Sequence, residues 1–106
     1  MNNDIPEYHN FYSFFNSPTK TELRIFLEQN GWTIRKESWN DFECTNDWSE
    51  LYLHADEINP LLNGAIANSK INYQKLVDLF CGINAKFQAE LYDKDKILLK
   101  SDKILV

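Results

Sequence analysis

From Trp32 to Ala55 the chain alternates between apolar and polar residues in three short runs, with turn residues between them. Trp32 and Ile34 oppose Thr33, Arg35 and Glu37; Phe42 and Cys44 oppose Asp41, Glu43 and Thr45; Leu51, Leu53 and Ala55 oppose Glu50, Tyr52 and His54. A period of two puts each set on its own face of a strand. Ser38-Trp39-Asn40 and Asn46-Asp47 leave no room for the crossover helix that parallel strands need, so the three runs form an antiparallel meander. One face is apolar and the other polar, the pattern of a sheet covered on one side.

Helical signals flank this meander. Asp4, Pro6 and Glu7 mark a helix start, and Tyr8, Phe11, Tyr12 and Phe15 recur at i, i+3, i+4 and i+7 until Asn16-Ser17-Pro18. Thr19 and Glu22 make a capping box for a second helix with Leu23, Phe26 and Leu27 inward, stopped at Asn30-Gly31. A third helix runs from Asn72, with Leu76, Leu79, Phe80 and Ile83 on its stripe and its end fraying over Gly82-Ile83-Asn84. Phe87, Ala89 and Leu91 alternate as a strand, Asp93 to Lys96 turn, and Ile97-Leu98-Leu99 return before a frayed tail from Ser101. Asn63-Gly64 is a turn dipeptide closing a loop or minor hairpin. The expected fold is α+β over residues 1–106: an antiparallel sheet of about five strands with helices on one face, in the order ααβββ(β)αββ.

With 43% apolar and 14% aromatic residues, 106 residues suffice for one core without a metal or disulfide framework. Cys44 and Cys81 sit in apolar stretches and read as small hydrophobes. No basic leader followed by an apolar run opens the sequence, and no apolar stretch reaches the roughly 20 residues of a membrane span. The expected compartment is the cytoplasm, with no membrane partner.

The chemistry-bearing motifs are few. Gly31, Gly64 and Gly82 are isolated, which rules out a glycine-rich phosphate loop, and no nucleophile elbow occurs. Cys44, Cys81, His9 and His54 have no metal-ligand spacing, so neither metal nor cofactor is expected. His54 shares a strand face with Tyr52 and Glu50, but a base with no nucleophile or oxyanion donor in view does not make an active site. The same placement follows for polar residues on any half-buried strand. The expectation is a protein that binds and does not catalyse.

The net charge of −5 is unevenly spread. Glu37 to Ser69 contains seven acids and no Lys or Arg, whereas the remainder sums to +2. Such a segment repels nucleic acid and attracts basic proteins. Pairing of the second and third runs sets Asp41 and Glu43 beside Glu50 and Tyr52, with Asp47 and Glu57 close in sequence and Trp39 and Trp48 in the turns. Carboxylates steer association and large aromatics supply anchor area. These eight residues are the candidate partner-binding surface, and a plain solvated face is the competing reading. An adaptor docking through an aromatic N-terminal helix is the alternative, since Phe14 lies off that helix's inward stripe. Oligomeric state is not legible.

The stretches Trp39-Asn40-Asp41-Phe42-Glu43, Asn46-Asp47-Trp48-Ser49-Glu50-Leu51-Tyr52-Leu53, Asn59-Pro60-Leu61-Leu62-Asn63-Gly64 and Glu90-Leu91-Tyr92-Asp93 resemble small bacterial immunity proteins. Those proteins are encoded beside polymorphic toxins, including those of contact-dependent growth inhibition systems. The resemblance is one of pattern and size over roughly residues 20–100. It implies a cytosolic protein that binds a cognate toxin C-terminal domain, often a nuclease with a basic cleft, and blocks it.

Overall fold

A computed structural model describes residues 8–105. Its elements are β1 (Tyr8–Ser17), α1 (Lys20–Gln29), β2 (Thr33–Lys36), β3 (Phe42–Asn46), β4 (Ser49–Ala55), β5 (Pro60–Ala67), α2 (Ser69–Gly82), β6 (Lys86–Tyr92) and β7 (Leu98–Ile104). The class is α+β. All seven strands join one antiparallel sheet in the order β2-β3-β4-β5-β1-β6-β7.

The α1 signals act as their chemistry requires. Thr19 accepts from the Glu22 amide while Glu22 accepts from the Thr19 amide, a closed capping box. Gly31, at φ +94°, releases the chain into β2 just past the Asn30 cap. Leu23 and Leu27 turn inward over β2, β3 and β4, and Arg24 lies over the Phe42 ring. The other half of the sheet is covered by α2, whose Tyr73 and Phe80 rings meet Phe11 and Phe15 of β1 edge-on at 6.0 and 5.0 Å. Both helices share one core with the inward residues of the strands.

Residues 8–17 are a strand and not the expected helix; the start signal at Asp4, Pro6 and Glu7 lies outside the described residues. Phe11 and Phe15, four apart, share a face in either conformation, and so do Tyr8 and Tyr12. Only Ser13 and Phe14 discriminate. Phe11, Ser13 and Phe15 are buried while Tyr12 and Phe14 are exposed, a strict period of two. Aromatic density favours the extended form, and β1 is locked between β5 and β6. It supplies the strand that bridges the sheet's two halves, which also removes the N-terminal aromatic helix proposed for an adaptor.

Asn63-Gly64 is likewise not a turn: both residues lie inside β5. A Cβ on Gly64 would run into the Glu50 carbonyl oxygen and approach the Leu51 Cα to 2.8 Å, so glycine is there for close passage of β4. These two strands, β1 and β5, raise the count from about five to seven and change the order to βαββββαββ. The third helix starts at Ser69, three residues earlier than expected, after Asn68 in the left-handed region. Buried Asn72 is held inside α2 by donating to the Ala67 carbonyl at 2.6 Å. At the other end, β7 stays paired through Ile104 where a frayed tail was expected. Tyr73 helps fix it there, donating to Asp102 at 2.7 Å. No helix among the described residues is long and apolar enough to cross a membrane.

Candidate functional site: the open face of the sheet

With both helices on one side, no element among the described residues covers the other face of the sheet. The register aligns its side chains in rows. Arg35 lies opposite Glu43, Glu43 opposite Tyr52, Tyr52 opposite Asn63, Asn63 opposite Tyr12, Tyr12 opposite Glu90, and Glu90 opposite Ser101. Seven strands at roughly 4.8 Å spacing make that row about 29 Å long. A second row runs Thr45, Glu50, Ala65, Asn10, Tyr92, and a third His54, Leu61, Phe14, Gln88, Lys103.

The middle of the face is aromatic and indented. Tyr12 and Phe14 are 45 and 41% exposed, and the Tyr12 and Tyr92 rings meet edge-on at 5.6 Å. Tyr12 and Glu90 separate two depressions of about 370 and 280 Å³. The first is bounded also by Asn10, Tyr92 and Lys96, the second by Phe14, Leu61, Asn63 and Gln88. Burial, together with a hydrogen bond and the charge of Glu90, raises the Tyr92 phenol above its usual range. Burial and the charges of Glu50 and Glu43 do the same for Tyr52. Both hydroxyls therefore remain proton donors at neutral pH.

Of the eight residues expected to form the binding surface, the structure brings three together. The Tyr52 hydroxyl reaches Glu43 Oε2 at 3.3 Å and Glu50 Oε1 at 3.4 Å, its single proton serving either carboxylate. Arg35, largely exposed, pairs with Glu43 at 3.1 Å, while no ion pair among the described residues reaches Glu50 or Glu90.

The other five lie elsewhere. Asp41 precedes β3, accepts from the Ser38 hydroxyl at 3.0 Å and sits 3.8 Å from the buried Lys20 ammonium. Lys20 also donates to the Asn40 carbonyl at 2.7 Å, so this pair fastens the β2–β3 turn to α1. Glu57 accepts from the Thr21 amide at 3.0 Å in the first turn of α1. That bond holds its carboxyl below the usual range, with a smaller contribution from Lys20. Trp48 packs on the helix side against Trp32 at 5.5 Å, with Lys75 over its ring. Asp47 projects from the two-residue β3–β4 turn, and Trp39, 85% exposed, stands at the β2–β3 turn under Lys36. The expected contiguous acidic patch is therefore smaller than the charge count suggests, because sequence proximity does not say which carboxylates answer backbone donors and buried cations.

Asn63 accepts from the Ser13 amide through Oδ1, which fixes Nδ2 as the donor to His54 Nε2 at 3.0 Å. His54 Nε2 thus faces a neutral amide and not a carboxylate. Burial, then the charge of Glu43, pushes the Cys44 thiol up to about 12, so it is no nucleophile. No group of three potential metal ligands occurs among the described residues. A groove of about 520 Å³ on the helix side, over Trp32 and Trp48, has a bonded floor: Trp32 Nε1 donates to Ser49 Oγ, which donates to Asn46 Oδ1.

Sequence reasoning missed Tyr12, Phe14, Asn63, Glu90 and Tyr92 as surface residues of one site. Period-two counting of residues 8–17 would have found the first two. The others needed the strand order, which places β1 between β5 and β6. No family model, curated protein or solved structure matches the chain.

Proposed function

We propose that this is a cytoplasmic binding protein of the immunity class, docking a cognate toxin domain on the open face of its sheet. The observation that carries the reading is the register of that face. Tyrosines from three strands and Phe14 lie together with Glu43, Glu50 and Glu90, and no element among the described residues covers them. Exposed aromatic clusters rimmed by charge are what protein interfaces are made of. Among the described residues no ion pair reaches Glu50 or Glu90, and both favour a basic surface such as a nuclease cleft. Asp47 and Trp39 stand exposed in the turns; Asp41, Glu57 and Trp48 act in the fold. Blocking substrate access requires no catalysis and no cofactor.

The test is neutralisation of the toxin domain encoded in the adjoining gene by co-expressed variants. Glu43, Glu50 and Glu90 changed together to Lys leave the melting curve near wild type and abolish protection. A comparable triple change on the helix side at Glu28, Gln74 and Asp78, all exposed, leaves protection intact. Full protection from the open-face variant would refute the docking surface.

A further inference from the structure

Strand β7 ends the sheet, and its outer backbone edge has no neighbouring strand among the described residues. The opposite end, β2, is four residues long and carries Arg35 and Lys36, the short charged form in which edges resist pairing. β7 is seven residues long; Ile97 just before it and Leu98 and Leu99 at its start are 58, 50 and 44% exposed. A long edge flanked by exposed apolar side chains is a template for another strand.

We infer that β7 pairs antiparallel with β7 of a second copy about a two-fold axis at Ser101, joining two sheets into one. The segment reads Ile97-Leu98-Leu99-Lys100-Ser101-Asp102-Lys103-Ile104-Leu105, and apart from Leu99 opposite Lys103 its chemistry reflects about Ser101. Antiparallel pairing on a two-fold axis sets each residue opposite the one equally far beyond the axis. Lys100 then meets Asp102 of the second copy, twice. Both project to the helix side, since Lys100 pairs with buried Leu91 and Asp102 with buried Ala89. Asp102 receives the Tyr73 hydroxyl on Oδ2, which leaves Oδ1 for the lysine.

The register shift between Leu91 and Tyr92 makes Leu99 the extra residue of a bulge, so the regular pairing is short and centred on Lys100 to Asp102. Beyond it, the apolar start of one β7 reaches the apolar end, Ile104 and Leu105, of the other. Neighbouring registers are excluded by charge. An axis at Lys100 places two ammonium groups face to face, and one at Asp102 places two carboxylates there. The segment complements itself, so the occupant is a second copy of this chain. The open faces of both copies remain uncovered, so dimer formation is independent of toxin docking.

Sedimentation velocity of the full chain over a dilution series tests this. A reversible monomer–dimer equilibrium is expected; a monomer even at the concentrations used for NMR overturns the proposal. Lys100→Glu and Asp102→Lys each oppose like charges at two symmetric places and weaken association by roughly a hundredfold. Mixed in equal amounts, the two variants recover the dimer, because the heterodimer sets opposite charges together at both places. A mixture that stays monomeric overturns the register. Lys103→Glu makes the same charge change on the other face, opposite no acid, and leaves association little altered. Equal loss from the Lys100 and Lys103 variants also overturns the register, and that comparison stands even where Asp102→Lys loses its native circular dichroism through Tyr73.

Discussion

Gly64 shows how much of this fold rests on single atoms. Its Cα passes the β4 backbone so closely that even a methyl group meets the Glu50 carbonyl, and two paired strands cannot part without breaking their ladder. Gly64→Ala is expected to lower stability by about 3 kcal/mol, read from urea unfolding. A loss near zero would mean that β4 and β5 pack less closely than described. Glu57 gives the second residue-scale prediction. The Thr21 amide holds its carboxyl below the ordinary value of 4.5, so the bond stabilises the fold above that value. The contribution disappears as pH falls through the lowered folded value. Glu22 behaves alike through its bonds to Thr19. Glu57→Gln keeps an acceptor but loses the titration, so its melting temperature falls less steeply than wild type's between neutral pH and pH values below 4.5. Parallel acid limbs for the two proteins would contradict this role.

At the scale of elements, β1 is both the clearest error of sequence reading and the most testable. A spacing of four satisfies helix and strand alike, so Phe11 with Phe15, and Tyr8 with Tyr12, could not decide. Ser13 and Phe14 could, and their neighbours were misread because a start signal at Asp4 to Glu7 preceded them. The strand reading predicts opposite outcomes for adjacent phenylalanines. Phe15→Asp buries a charge against Phe80 and Phe87 and unfolds the domain, a loss of more than about 4 kcal/mol. Phe14→Asp, on the open face, stays within about 1 kcal/mol of wild type in the same unfolding assay. Similar losses at both positions would contradict the strand. The α1 boundaries and the β2–β4 meander were legible because each rests on local chemistry: a capping box, a positive-φ glycine, and alternation between turns. The candidate site was legible only in part. Glu43, Glu50 and Tyr52 follow from one hairpin register, whereas Glu90 and Tyr12 come together through a strand order that no local signal encodes. Asp41 and Glu57 likewise left the surface set through contacts with Lys20 and Thr21, both far away in sequence at the start of α1.

At the scale of the molecule, the two helices of the described residues cover one side of seven strands, and the other side presents tyrosines, Phe14 and the carboxylates of Glu43, Glu50 and Glu90. That asymmetry is the source of the proposed activity: a rigid platform presents side chains in register, and the partner supplies the missing layer. Hydroxyl-radical footprinting of the protein free and bound to the toxin domain from the adjoining gene tests it most directly. Docking on the open face predicts that Tyr12, Phe14, Tyr52 and Tyr92 lose reactivity in the complex, while Trp48 and Ile71 on the helix side keep theirs. Protection of Trp48 and Ile71, with Tyr12 and Phe14 still reactive, would contradict it.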